Sequence, residues 1–298
     1  MNEVTVLGEA LWDVYPTRAS ASIRARRREQ RVLGGAPANV AVTLARLGVR
    51  VGMITTVGED ALGQGLRDEL ADAGVDVSCV HSVRARTSVT WVELGDTPRY
   101  VPFRATKGQP GAEMIPAALE SPWLHVSSSS FTDDASAEAV RLALSRSNAR
   151  LSFDLNVYPH LWSSAILPVL REPIALAHVV KASEPDLAAL GLDERGLCAL
   201  RPGRLTIVTR GERGAVAYDG QEAIEHRVRR VRTIDPIGAG DAFMAGLLAS
   251  LVRGKDVHSC LALAARLGAR AVTALGATTA LRDLGRERRA LARVPTLR

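Results

Sequence analysis

The chain has 298 residues, 47% hydrophobic and 23% charged, with a formal net charge of +6, a composition that can bury a sizeable core and is ordinary for a soluble globular protein. No run reaches the roughly 18–20 apolar residues of a membrane span, MNEVTVLGEALWD does not read as a signal peptide, and the widely spaced Cys79, Cys198 and Cys260 argue against a disulfide framework or zinc cluster and for a reducing, cytoplasmic setting. The basic excess is 35 arginines against three lysines, which looks like a coding preference, and its densest run, RARRREQR (24–31), lacks the interleaved aromatics that would stack bases, so nucleic acid is not expected as a partner.

In chain order, VTVLG (4–8) reads as a buried strand that begins almost at residue 1, followed by the polar stretch GEALWD. LGGAPANVAVTLARLG (33–48) sets two glycines before a helix over 37–48 with Pro37 in its first turn. A tight turn and helix cap explain Gly34 and Pro37; they explain Asn39 less well, because asparagine suits a helix poorly unless its side chain has a partner. VGMITTVG (51–58) is a second buried strand. TSVTWVEL (87–94) and RYVPFR (99–104) alternate in period two around GDTP and predict a hairpin; with residues 14–33 it is expected to form a small sheet standing off the main body.

LHVSSS (124–129), a helix over 135–147, RLSFDLN (150–156), HVVKAS (178–183) and LTIVTRG (205–211) follow. Buried strands separated by helices predict βαβ units and a parallel sheet covered on both faces, with ligands bound beyond the carboxyl ends of the strands. The polar stretches GEALWD, SSSSFTDD, DLN and KASEPD fall there. VTRGERGA (208–215) runs through a glycine-rich turn into another strand, which by itself is a plain hairpin. No repeat or Gly/Ser linker divides the chain, so 1–298 is expected to be one α/β domain with a small β lid from about 14–33 and 87–104.

RTIDPIGAGDAFMAG (232–246) poses the sharpest question. Gly238-Ala239-Gly240 is poor helix material, yet Phe243, Met244, Leu247, Leu248 and Leu251 recur at helical spacing directly after Asp241. A bare helix start exposes N–H groups without intrahelical partners, backed by the helix dipole, and an anion can touch them. An aspartate that caps a core helix reads the same residues; taken alone, they leave both readings open. Other chemistries are excluded by inspection: no Gly-Lys-Ser/Thr phosphate loop, no pair of histidines four apart, and no serine flanked by glycines two residues away on both sides.

GGAPAN near residue 35, TRGERG near 210 and DPIGAGD at 235–241 resemble, in this order and spacing, the ribokinase-like (PfkB) carbohydrate kinase family. The resemblance runs from GEALWD to VTALGAT, and GEALWD, GGAPANVAV, SFDLN and VVKAS are most similar to its fructokinase branch. It implies a three-layer ribokinase-like α/β fold with a central mostly parallel sheet, ATP and Mg²⁺ as cofactors, and a monovalent cation as a further candidate. It implies Asp241 as the base for the attacking sugar hydroxyl and Gly238, Ala239 and Gly240 as the anion hole. Asp13, Gly34, Gly35, Asn39, Asp154, Asn156 and Tyr158 fall to the sugar; Lys181, Ser183, Thr209, Gly211, Gly214, Gly238 and Gly240 fall to the nucleotide. The helix dipole is expected to keep Asp241 ionised.

Three departures bear on metal and substrate. The family's Asn-x-x-Glu, which helps organise Mg²⁺ through water, reads Ser183-Glu184-Pro185-Asp186 here, so Glu184 and Asp186 are the metal candidates. Fructokinase-like chains usually carry arginine where Tyr158 stands, and an aromatic-Tyr-Arg run where this chain has Lys107-Gly108-Gln109. Free fructose leads as acceptor; a larger pseudo-sugar such as an acarbose-type cyclitol glycoside, 2-keto-3-deoxygluconate and ribose are alternatives. A non-catalytic sugar-binding regulatory protein is the alternative from a different class. The lid is expected to close over the sugar and to pair with a second copy.

Overall fold

Runs of β-branched and apolar residues without alternation can be stable only where both faces of a strand are covered. The computed structural model, which describes residues 1–16, 29–93, 99–103, 110–162, 165–220 and 222–292, has that arrangement. A nine-stranded sheet contains β1 (Val4–Leu7), β4 (Val51–Gly58), β5 (Val80–Val83), β8 (Trp123–Ser127), β9 (Arg150–Asp154), β10 (Val179–Ser183), β11 (Leu205–Thr209), β12 (Ala215–Asp219) and β13 (Glu222–His226). Their order is β13-β12-β11-β10-β9-β8-β1-β4-β5. The seven strands from β11 to β5 are parallel; β12 and β13 add on antiparallel. Every residue of β1, β4 and β8 is buried.

Helices cover the sheet on both faces. On one side α1 (Ala36–Arg46), α2 (Ala61–Asp72), α7 (Ala239–Val252), α8 (Val257–Ala271) and α9 (Gly285–Ala292) contribute to one core cluster. On the other, α3 (Asp134–Ser145), α4 (Ile166–Leu176), α5 (Glu184–Leu190) and α6 (Glu194–Ala199) contribute to a second. Helix α7 is buried without interruption from Asp241 to Ser250, which is why its sequence is apolar all round rather than striped. Among the described residues no helix is long and apolar enough to cross a membrane.

The second sheet has four strands: β2 (Leu11–Pro16), β3 (Glu29–Gly34), β6 (Val89–Glu93) and β7 (Arg99–Phe103), in the order β3-β2-β6-β7. The expected hairpin is β6–β7, with Trp91 opposite Val101; its turn, residues 95–98, lies outside the described residues, as do 24–28 of the arginine run and Lys107-Gly108-Gln109. On one side Tyr15 and Val92 pack against Ile237 and Ala277 of the main body. Val101 and Phe103 stay 39% and 61% exposed.

Candidate active site

A cavity of about 900 Å³ opens at the carboxyl ends of the parallel strands, between them and the four-stranded sheet. Helix starts shape its floor. Five helices begin under a side-chain cap, from Asp60, Asp133, Ser183, Asp193 and Asp256. Helices α1 and α7 have no such cap and begin at Gly35 and Gly238, with φ 92° and 78°. Both conformations suit glycine, and space demands it as well. A Cβ on Gly238 would stand 2.3 Å from that of Ala277, and one on Gly35 would stand 2.6 Å from the Glu9 carbonyl oxygen. No side chain caps the first turn of α7; the Ala239 N–H makes a long bond, 3.4 Å, to the Pro236 carbonyl, and Gly238, Ala239 and Gly240 line the cavity.

Asp241 is the third residue of that helix and is not its cap. The Asn39 amide donates to its Oδ2 at 2.8 Å. This is the partner that an asparagine in the first turns of α1 requires. Asn39 is 3% exposed, and its Oδ1 has no hydrogen-bond partner among the described residues, which leaves a buried acceptor for a ligand's donor. Burial pushes the Asp241 carboxyl up, against the Asn39 hydrogen bond and the Lys181 charge that lower it. Desolvation thus opposes the ionisation expected from the helix dipole, and those two neighbours are what favour the carboxylate.

Lys181, in the middle of β10, donates to both oxygens of Asp154 on β9, at 2.8 and 2.9 Å. Its ammonium also lies beside the α7 start, since a Cβ on Gly240 would be 2.9 Å from Nζ. Burial works to lower the Lys181 pKa but is outweighed by Asp154, Asp186 and Asp241, which hold it above the usual lysine value. Burial pushes Asp154 up against the pull of the ammonium. Asp13 is pushed up to about 8, by burial first and then by Glu9, Asp241 and Asp235.

The cavity gathers the residues expected from the sequence except two. Gly34 and Asp154 do not line it: the Asp13 carboxylate lies over Gly34, where a Cβ would be 2.3 Å from Oδ2, and Asp154 acts on Lys181. Asp13, Gly35, Asn39, Asn156, Tyr158, Ser183, Thr209, Gly211 and Gly214 all line the cavity. The metal candidates have other partners. Glu184 is paired with Arg213, and Asp186 closes a capping box with Ser183. No group of three His, Cys, Asp or Glu able to hold a metal occurs among the described residues.

Sequence reasoning passed over Glu9, Thr90 and Asp235. Glu9 and Thr90 line the cavity and are buried; an acid inside GEALWD, directly after a strand, was the available signal for the first. Asp235 is fully buried and accepts from the N–H of Ile237 at 3.0 Å and of Gly276 at 2.8 Å. It fastens the loop before α7 to the loop that carries Ala277.

An uncapped helix start beside a buried carboxylate and an ammonium, at the end of a doubly covered parallel sheet, defines a site for an anionic group and a proton acceptor. Residues 1–284 match the pfkB family carbohydrate kinase, and the chain belongs to that family of enzymes. It is 36% identical to a fructokinase of Salmonella typhimurium over 96% of this chain and 99% of the relative. It is 31% identical to an aminoimidazole riboside kinase of the same species, covering 94% of this chain and 92% of that one. The crystal structure of a fructokinase from Vibrio cholerae O395, in fructose, ADP and calcium ion bound form, superimposes with a TM-score of 0.85 at 28% identity, over 97% of this chain and 99% of that one.

Proposed function

We propose that this chain transfers the γ-phosphoryl group of ATP to a primary hydroxyl of a sugar, with D-fructose the leading acceptor. One observation carries the reading: the Asp241 carboxylate, oriented by Asn39, stands at the uncapped start of α7. Phosphoryl transfer needs in-line positioning and stabilisation of spread negative charge. The N–H groups of Gly238, Ala239 and Gly240 would receive that charge, with the Lys181 ammonium beside them. Asp241 would take the proton of the attacking hydroxyl as the oxygen–phosphorus bond forms. Asp13 and the free Oδ1 of Asn39 would accept from neighbouring sugar hydroxyls.

The nucleotide falls to the wall formed by Thr209, Gly211 and Gly214; Val231 and Ile234, which line the same cavity, offer exposed apolar surface at 39% and 54%. The described carboxylates do not form a ready cage for the cations expected from the resemblance. Both oxygens of Asp186 and of Asp235 accept protein N–H groups, and Glu184 faces Arg213. Magnesium is accordingly expected to arrive on the nucleotide's own phosphates, as an ion that keeps several waters and few protein ligands does elsewhere. The four-stranded sheet is proposed as a lid over the sugar, in a single domain, and the three free cysteines suit a cytoplasmic location.

A larger acceptor, such as an acarbose-type cyclitol glycoside, is the second reading. It is favoured by Tyr158, 37% exposed on the cavity wall, whose ring suits an uncharged sugar face. ADP release over fructose, ribose, 2-keto-3-deoxygluconate, aminoimidazole riboside and acarbose tests both. Fructose should give the highest kcat/KM. A higher value for acarbose selects the second reading, and no ADP release with any sugar supports a non-catalytic binding protein.

A further inference from the structure

We propose that Asp186 is a positioning residue that ties the sugar wall of the cleft to its nucleotide wall, rather than a holder of the metal ion. The proposal rests on the kinase reading above. Asp186 is 5% exposed, and both of its carboxylate oxygens accept hydrogen bonds from the protein. Oδ2 accepts from the backbone N–H and from the hydroxyl of Ser183, both at 2.7 Å. Oδ1 reaches the other wall and accepts from the N–H of Val157 at 2.7 Å.

The placement of these bonds gives them their meaning. Strands β9 and β10 pair as far as Asp154 opposite Lys181, and the Leu155 N–H still donates to the Lys181 carbonyl at 2.9 Å. The segment that follows, residues 156–158, supplies Asn156 and Tyr158 to the cavity lining, on the wall proposed above for the sugar. Asn156 has φ 33°, a left-handed conformation that costs a non-glycine residue free energy and persists only where its surroundings enforce it. Among the contacts that hold this segment, the Ser128 hydroxyl donates to the Asn156 carbonyl at 3.1 Å, and Asp186 accepts from Val157.

The same carboxylate fixes Ser183, two residues beyond Lys181 on the strand that carries the ammonium beside α7. Displacement on either wall is therefore felt on the other. The shorter side chain where the family has glutamate has a physical reason here. An additional methylene would have to buckle to keep three bonds of 2.7 Å from donors on two separate segments.

The test compares the wild type with Asp186→Asn and Asp186→Glu, with fructose as the sugar probe. Fructose affinity is read by calorimetry and as KM, and the Mg²⁺ concentration for half-maximal rate is read at fixed ATP. A positioning role predicts that fructose Kd and KM rise about tenfold in both variants, the scale of one lost charge-assisted hydrogen bond, while Mg²⁺ half-saturation moves less than about twofold. Glutamate, with the charge intact but the geometry wrong, should not rescue. A Mg²⁺ requirement raised about tenfold with unchanged fructose Kd, and restored by glutamate, overturns the proposal. If Asp186→Asn does not fold, Ser183→Ala removes one bond from Oδ2 and should raise fructose Kd about threefold; an unchanged value then overturns it. A wild type that releases ADP with no sugar overturns the kinase reading itself, a result distinct from either pattern.

Discussion

Replacing Gly238 by alanine should damage stability and turnover together, and the structure sets the scale. The new Cβ would sit 2.3 Å from the Cβ of Ala277 and 2.5 Å from its Cα, where carbon atoms normally rest at about 3.5–4.0 Å. The two loops must part by roughly 1 Å to restore that spacing. Neither is free to do so. Ala277 is packed against Tyr15, Val92 and Ile237, and Asp235 fastens both loops through Ile237 and Gly276. Overpacking of this kind costs ~1–3 kcal/mol, and the left-handed φ of 78° adds ~1–2 kcal/mol for a residue with a Cβ. The entropy that alanine removes from the unfolded chain offsets less than about 1 kcal/mol. A net loss of ~1–5 kcal/mol in denaturant unfolding should result. The α7 start should shift by enough to lower kcat about 10²-fold, the scale of a 1 Å misplacement. Gly254→Ala is the control: it has φ 64° at the far end of α7, with nothing within 4 Å of the added Cβ, so it should show the strain cost and near-normal turnover. If Gly238→Ala unfolds within about 0.5 kcal/mol of wild type, inside the ordinary range of surface substitutions, and keeps its turnover, the close approach of the two loops is not what requires glycine.

Lys181→Met should lower both turnover and unfolding free energy, the latter by ~3–5 kcal/mol, because it strands Asp154 in the interior; Lys181→Met with Asp154→Leu should melt higher than the single variant while remaining inactive, and equal melting of the two would mean the buried pair is not coupled. The unliganded protein should lose stability as pH rises. Asp13 titrates near 8 in the folded chain against an ordinary value of 3.8, so between those values the folded state holds a proton that the unfolded state has released, and this contribution falls until the pH passes the folded value. Melting curves at pH 6 and 9 should show the drop and Asp13→Asn should flatten it; an unchanged slope in that variant assigns the effect elsewhere. The exposed Val101 and Phe103 on a small sheet predict a dimer by lid pairing, which Phe103→Glu should convert to monomer in light scattering; a wild type that is monomeric at micromolar concentration contradicts this.

Much of the fold was legible because burial on both faces writes unbroken apolar runs, as in VGMITTVG and VVKAS, and because glycines mark α1 and α7. Strand β13 and helix α6 were not legible: EAIEH is largely exposed, and α6 has six residues, too short for a periodic signal. The start of α7 and Asn39 were visible as residues that break local preference, Gly238-Ala239-Gly240 at a helix start and an asparagine in a buried helix face. Their union was not visible, since Asn39 and Asp241 are 202 residues apart. The role of Asp186 was hidden for the same reason, because one of its two walls lies 29 residues upstream. Charge state was the least legible property: the dipole argument for Asp241 follows from its position in α7, whereas the opposing desolvation depends on what the fold packs around it.

The most direct measurement of the central claim is single-turnover transfer from Mg²⁺·ATP to fructose by Asp241→Asn. The asparagine keeps the volume, and its own carbonyl can accept the Asn39 amide that Oδ2 accepts at 2.8 Å in the native chain. Nucleotide and sugar affinities should therefore stay within a few fold. The proton acceptor is lost, and transfer should fall by ~10²–10⁴-fold, the usual contribution of a positioned base. A folded variant that binds both substrates and retains more than about a tenth of wild-type transfer, far above that range, would mean that Asp241 holds the helix start and does not take the proton.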